Sequence, residues 1–206
     1  MLQKLFSRSA RTAKSTQKPK PTIVVSGLPR SGTSMMMKIL ADGGVPILKD
    51  EIRYADEDNP NGYYEFEPVK QLAEGQHQWL ADGSGKAVKI ISALLEYLPS
   101  NYSFKVIFME REIKEILASQ QKMLTRRSEK SAIDDAEMQQ QFEQHLAATK
   151  YWLGRQPNID VLYVEYNKMM RDADSSCQQI ADFIGVAVDI EKMRAVPNGQ
   201  LYRNRT

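Results

Sequence analysis

Apolar positions in this chain fall into short continuous runs separated by stretches of helical periodicity, and the two alternate from residue 22 onward. The β-branched run Ile23, Val24, Val25 predicts a first strand. It passes into Gly27-Leu28-Pro29-Arg30-Ser31-Gly32-Thr33-Ser34, whose small residues open a helix over 32–42 that Gly43-Gly44 ends as a C-cap. KAVKIIS at 86–92 and SFKVIFME at 103–110 predict a second and a third strand, and VLYVE at 161–165 a fourth. Helices are expected from Pro68 to about Leu80, over 113–124, over 134–153 and over 173–184, the last stopping at Gly185. The polar stretch 49–62 has turn residues and no apolar period, so it reads as a surface loop. Tyr63-Tyr64-Glu65-Phe66-Glu67 alternates aromatic and acidic residues, as a short extended piece does, which places Glu65 and Glu67 on one face. Strands alternating with helices predict an α/β fold with a mostly parallel central sheet covered on both sides. Ligands in such sheets lie at the carboxyl ends of the strands.

Composition narrows the class. A chain of 206 residues suits one domain, expected over 22–206, behind a basic tail at 1–21. In that tail Lys4, Arg8, Arg11, Lys14, Lys18 and Lys20 occur without an acid. It reads as disordered or, with Leu2, Leu5 and Phe6, as a weak membrane-surface or targeting segment. Hydrophobic content of 42% and charged content of 26% are ordinary for a soluble globular protein, and a net charge of +2 argues against nucleic acid as the partner. No apolar run approaches an integral membrane segment. The single cysteine, Cys177, cannot form an internal disulfide, so a cytoplasmic location is expected. One cysteine with two histidines, His77 and His145, argues against zinc, and both histidines read as surface residues of polar helices. Met35, Met36 and Met37 read as core.

The loop at 27–34 carries the chemistry. Glycines admit close backbone approach, and the first turn of the following helix offers N–H groups at the positive end of its dipole, which together cradle a phosphate. The pattern nearly matches the nucleotide-binding loop G-x-x-x-x-G-K-[ST], but Thr33 stands in place of the lysine and the only cation is Arg30. A P-loop-type three-layer sandwich is therefore the expected architecture. The third strand ends in Met109-Glu110-Arg111, an arginine rather than a metal-binding aspartate, and the acid at a strand end, Glu165, comes late. A kinase or NTPase using Mg·ATP and a nucleotide-binding module without catalysis remain alternatives.

The run Pro29-Arg30-Ser31-Gly32-Thr33-Ser34 resembles the 5′-phosphosulfate loop, P-[KR]-S-G-T-[TS], of sulfotransferases that use 3′-phosphoadenosine 5′-phosphosulfate (PAPS). The family's second motif is a strand ending in arginine, with a serine eight residues later. Val106 to Arg111 followed by Ser119 is similar to it. Lys86-Ala87-Val88-Lys89 resembles the segment with a strand-end lysine. Tyr166-Asn167-Lys168-Met169 and Phe183-Ile184-Gly185 resemble the closing "Y-E-D-L … F-L-G" pattern, so the likeness spans about 22–186. Asp58 to Glu65 is similar to the "D-x-N-P-x-G-Y-Y-E" segment of bacterial members, with carbohydrate or small-molecule acceptors. Two features depart from the family: Ile90-Ile91-Ser92 replaces a Thr-His pair whose histidine is the base, and Met35 replaces a tryptophan that helps hold adenine.

The resemblance implies that Pro29, Arg30, Ser31, Gly32, Thr33 and Ser34 hold the 5′-phosphate, with Arg30 at the leaving oxygen. Arg111 and Ser119 would hold the 3′-phosphate. Arg111 could instead pair with Glu112 or Glu115. Lys89 would approach the sulfonate, and Arg203 could fold over the nucleotide. With histidine absent, carbohydrate-acting members that use glutamate point to Glu65, or Glu67, as base; either could also be a solvated carboxylate. The implied product is 3′,5′-adenosine bisphosphate (PAP), and no metal is required. The loop at 125–131 is a candidate lid, and the polar helix at 134–153 a candidate contact for a homodimer.

Overall fold

The computed structural model describes residues 19–50, 52, 62–126, 128–129 and 133–197. Most of the basic tail, most of the turn-rich loop including Asp58, parts of the expected lid, and Arg203 lie outside the described residues.

Five strands, β1 (Thr22–Gly27), β2 (Ile47–Leu48), β3 (Ala87–Lys89), β4 (Phe104–Glu110) and β5 (Ile159–Glu165), form one sheet in the order β2-β3-β1-β4-β5. Every pairing is parallel, as predicted. The helices are α1 (Thr33–Asp42), α2 (Ile113–Arg126), α3 (Asp135–Leu153), α4 (Tyr166–Arg171), α5 (Ala173–Ile184) and α6 (Ile190–Arg194). Alternate strand residues face two separate cores. Ile23, Val25, Ile107 and Met109 pack with Met36, Met37 and Ile39 of α1, Ile180 of α5 and Met193 of α6. Val24, Val88, Val106 and Phe108 pack on the other side with Leu72, Leu80, Leu95 and Leu153 of α3. Because both faces are covered, the central strands read as continuous apolar runs rather than alternating ones.

The differences from the sequence reading are local. The helix expected from Pro68 to Leu80 is two 3₁₀ segments, Glu67–Glu74 and Gln78–Gly83, because Gly75 leaves the first in the left-handed region (φ 77°). Strand β2, with two residues, and helices α4 and α6, with six and five, are too short to show a period. Strand β5 begins two residues earlier than expected. It is the sheet edge, where exposed Asp160 hid the pattern.

The register brings the strand ends together. Gly27 lies opposite Met109 across β1 and β4, and Val25 opposite Lys89 across β1 and β3. The turn into α1, the turn into α2 and the end of β3 therefore share one edge of the sheet.

Candidate functional site

Leu28 is buried and pins the start of the loop, while Pro29 is exposed. The backbone turns back on itself: Ser31 donates its N–H to Leu28 O (3.2 Å), and Arg30 (φ 70°) and Gly32 (φ 102°) both have positive φ. A Cβ on Gly27 would lie 2.7 Å from the Met109 carbonyl, and one on Gly32 would lie 2.6 Å from the Tyr166 ring, so both positions require glycine. Helix α1 starts at Thr33 with no side-chain cap and no acid in its first turn. The positive end of its dipole thus has no carboxylate in its own first turn, which suits an anion. The Ser31 hydroxyl is buried and has no hydrogen-bond partner among the described residues.

Arg111 follows β4 directly, and its side chain is 7% exposed. Its Nε donates to Glu115 Oε2 (2.8 Å), its Nη1 donates to the Arg30 carbonyl (3.1 Å), and its guanidinium stacks over Tyr166 (4.3 Å to the ring centre). The predicted alternative of an ion pair with Glu115 is thus realised. It uses the Nε–H, and the bond to Arg30 one Nη1 N–H, so among the described residues three of the five N–H groups remain. Ser119, buried on α2 two turns away, accepts from Arg30 Nε (3.0 Å). Arg30, Arg111 and Ser119, from sequence positions far apart, therefore form one linked group at the edge of the sheet.

A second group adjoins α1. The Tyr63 carbonyl accepts from Lys89 Nζ at the end of β3 and from Ser34 Oγ (3.5 Å) in the first turn of α1. Glu65 Oε1 lies 4.0 Å from Lys89 Nζ. Glu65, Lys89 and Ser34 are thereby gathered around one backbone segment. Glu67 is not. Tyr64 takes a left-handed conformation (φ 51°) and breaks the alternation that would have put both glutamates on one face. Glu67 begins the 3₁₀ segment, is exposed, and pairs with Lys70 (2.8 Å).

The histidines also differ from expectation. His77 lies between the two 3₁₀ segments and packs edge-on against Tyr102. His145 is half-buried on α3, with Nε2 2.8 Å from the buried Ser92 hydroxyl, so it is tied into the structure just beyond β3. Sequence reasoning missed the parts played by Tyr63, Tyr166 and Asn167. Tyr166 and Asn167 stand in a short helix without periodicity, and Tyr63 acts through its carbonyl, which no side-chain pattern reveals.

No helix among the described residues is long and apolar enough to cross a membrane. No curated protein sequence matches the chain. Among solved structures, the sulfotransferase domain of the Synechococcus PCC 7002 olefin synthase superposes with a TM-score of 0.53 at 13% identity, covering 94% of this chain and 86% of that one. The mouse sulfotransferase SULT7A1, complexed with PAP, superposes with a TM-score of 0.54 at 18% identity, covering 88% of this chain and 63% of that one. At these identities the two structures speak for the fold. The pattern of the sulfotransferase domain family matches residues 20–199, nearly the whole chain, and the protein belongs to that family.

Proposed function

We propose that this chain transfers a sulfuryl group from PAPS to a hydroxyl or amine of a small-molecule or carbohydrate acceptor, without a metal. The linkage of Arg30, Ser119 and Arg111 carries this reading. A cation directly after a strand end and a hydroxyl about two helical turns further on are linked to the loop whose glycines and helix N-terminus suit a phosphate. A nucleotide with phosphates at both the 5′ and 3′ positions matches two such anion sites, whereas a linear triphosphate needs the missing lysine and a metal carboxylate. In this reading the loop N–H groups and the first turn of α1 bind the 5′-phosphate, and Arg111 with Ser119 binds the 3′-phosphate.

The bond from sulfur to the bridging phosphate oxygen breaks as a bond from sulfur to the acceptor atom forms, leaving PAP and the sulfated acceptor. The transition state is loose by analogy with phosphoryl transfer, so positioning and charge stabilisation supply most of the rate. Ser119 holds Arg30 through Nε, and the Arg30 guanidinium stabilises charge on the bridging oxygen. Lys89 offers a cation to the sulfonate oxygens. Glu65, 4.0 Å from Lys89, accepts the acceptor's proton. Glu67, turned away toward Lys70, drops out as base.

Titration calorimetry in EDTA tests the donor. PAP binds the wild type, and Arg111→Ala weakens it about 10- to 100-fold, the value of a charge-assisted hydrogen bond. Binding of Mg·ATP with no binding of PAP would overturn the reading in favour of a kinase or NTPase. For the base, Glu65→Gln abolishes sulfate transfer while Glu67→Gln retains it; the reverse result would reassign the role.

A further inference from the structure

Arg111 is held from three sides before any nucleotide arrives, and the group that orients it is itself oriented. Glu115 is 2% exposed. Its Oε2 accepts from Arg111 Nε (2.8 Å) and its Oε1 accepts from Asn167 Nδ2 of α4 (3.1 Å). Each carboxylate oxygen has its own donor, so the carboxylate cannot rotate without losing one of them. Arg111 is correspondingly fixed in plane by Glu115 and across its face by Tyr166 (4.3 Å).

We propose that Glu115 and Asn167 are positioning residues that give this site its preference for a 3′-phosphorylated nucleotide, by presenting Arg111 in one orientation. The proposal rests on the PAPS reading above. Two observations support positioning over plain packing. Asn167 Oδ1 is buried and has no hydrogen-bond partner among the described residues. Burying an unpaired carbonyl is unfavourable, so an apolar residue of similar size would serve the core better, and what Asn167 supplies is its Nδ2 bond to Glu115. Moreover, Glu115 puts a negative charge next to the arginine that is to meet a phosphate, which opposes anion binding by simple charge. Orientation and charge therefore predict opposite signs. If orientation dominates, the guanidinium's ordering cost is met on folding rather than on binding, and removing Glu115 weakens the 3′-phosphate contact even though it removes a negative charge.

The test measures the full chain's affinity for PAP and for adenosine 5′-monophosphate by calorimetry, in the wild type, Asn167→Leu and Glu115→Ala, with a thermal melt of each. The wild type favours PAP. Asn167→Leu leaves the arginine–glutamate pair in place; it removes the unpaired carbonyl but also the donor to the buried Glu115 Oε1, so its two effects on the melting temperature oppose each other and nucleotide selectivity is the readout. Its PAP affinity falls about tenfold or more, the scale at which outer partners tune a ligating side chain, while affinity for the monophosphate stays the same. Glu115→Ala shows the same selective loss. PAP affinity that rises in Glu115→Ala, or an equal loss for both nucleotides in Asn167→Leu, would overturn the proposal. So would a wild-type preference that Asn167→Leu retains, with the PAPS reading then intact. A wild type that does not prefer PAP would remove that reading, and the proposal with it.

Discussion

Replacing Gly32 by alanine tests whether the cradle is a jigsaw fit or merely a flexible turn, and Gly44 provides the matched control. Both glycines have positive φ, 102° and 91°. Alanine is strained at each by about 1–2 kcal/mol, and the entropy it removes from the unfolded chain is common to both. They differ in their surroundings. A Cβ at Gly44 meets nothing within 4 Å, whereas one at Gly32 lies 2.6 Å from Tyr166 Cδ2 and 3.1 Å from its Cε2. Ordinary carbon contacts are about 3.5–4.0 Å, so the overlap is close to 1 Å. Overpacking of that kind costs about 1–3 kcal/mol. The common terms cancel, and urea denaturation should show Gly32→Ala less stable than Gly44→Ala by about 1–3 kcal/mol. The ring that must move is also the platform under Arg111, so Gly32→Ala should weaken PAP binding while Gly44→Ala should not. Equal stability losses in the two variants would refute the steric argument, and unchanged PAP affinity in a destabilised Gly32→Ala would refute the coupling through Tyr166.

Further outcomes follow from individual groups and from the metal-free reading. Burial pushes the Cys177 thiol from about 9 up to about 11, so the folded protein keeps a proton that the unfolded chain gives up. This contribution is complete below about pH 9 and is lost as the pH rises through 11; chemical denaturation across that range should show declining stability, a decline that Cys177→Ala lessens. The same burial means that a thiol reagent labels Cys177 only after unfolding, and rapid labelling of the native protein would contradict it. His145→Leu leaves the buried Ser92 hydroxyl without its 2.8 Å partner and should cost about 1–3 kcal/mol in urea denaturation, whereas the double variant with Ser92→Ala should recover part of that loss. Sulfate transfer from PAPS should be unaffected by EDTA, and loss of turnover restored by Mg²⁺ would count against metal-free transfer.

The parts legible in sequence were those with a strong local pattern. β1 and β4 are apolar on both faces, and the loop between β1 and α1 carries its glycines at fixed offsets, so both strands, the mostly parallel sheet and the turn from β1 into α1 were legible in the spacing. Asp134 caps α3 by accepting from the Glu137 N–H, and the helix starts within a residue of its expected bound despite its weak apolar face. The misplaced parts depended on backbone conformation or distant contacts. Glu65 and Glu67 look equivalent in an alternating run, and only the left-handed Tyr64 separates them, sending one to Lys89 and the other to Lys70. His145 reads as a residue of a polar helix because Ser92, its partner, is 53 positions away.

The same distinction bears on how the site holds together. The motif residues Arg30, Arg111 and Ser119 can be picked out one by one, yet none would be fixed by its own element: Arg30 stands in a turn, Arg111 just outside a strand, and Ser119 offers only a hydroxyl. Their geometry comes from cross-links among them, the Nη1 bond from Arg111 to the Arg30 carbonyl and the Nε bond from Arg30 to Ser119. α4, a six-residue helix too short to show a helical period, supplies the remaining constraint by setting Tyr166 against both Gly32 and Arg111 and Asn167 against Glu115. It follows β5 without a loop, and β5 is registered against β4 up to Glu110 opposite Glu165. The sheet register therefore sets the position of α4, and α4 sets the orientation of the arginine. An insertion of one residue between Glu165 and Tyr166 would leave Arg30, Arg111 and Ser119 in place and still disturb the proposed anion site, because what it breaks is the register that carries Tyr166 and Asn167 to the arginine.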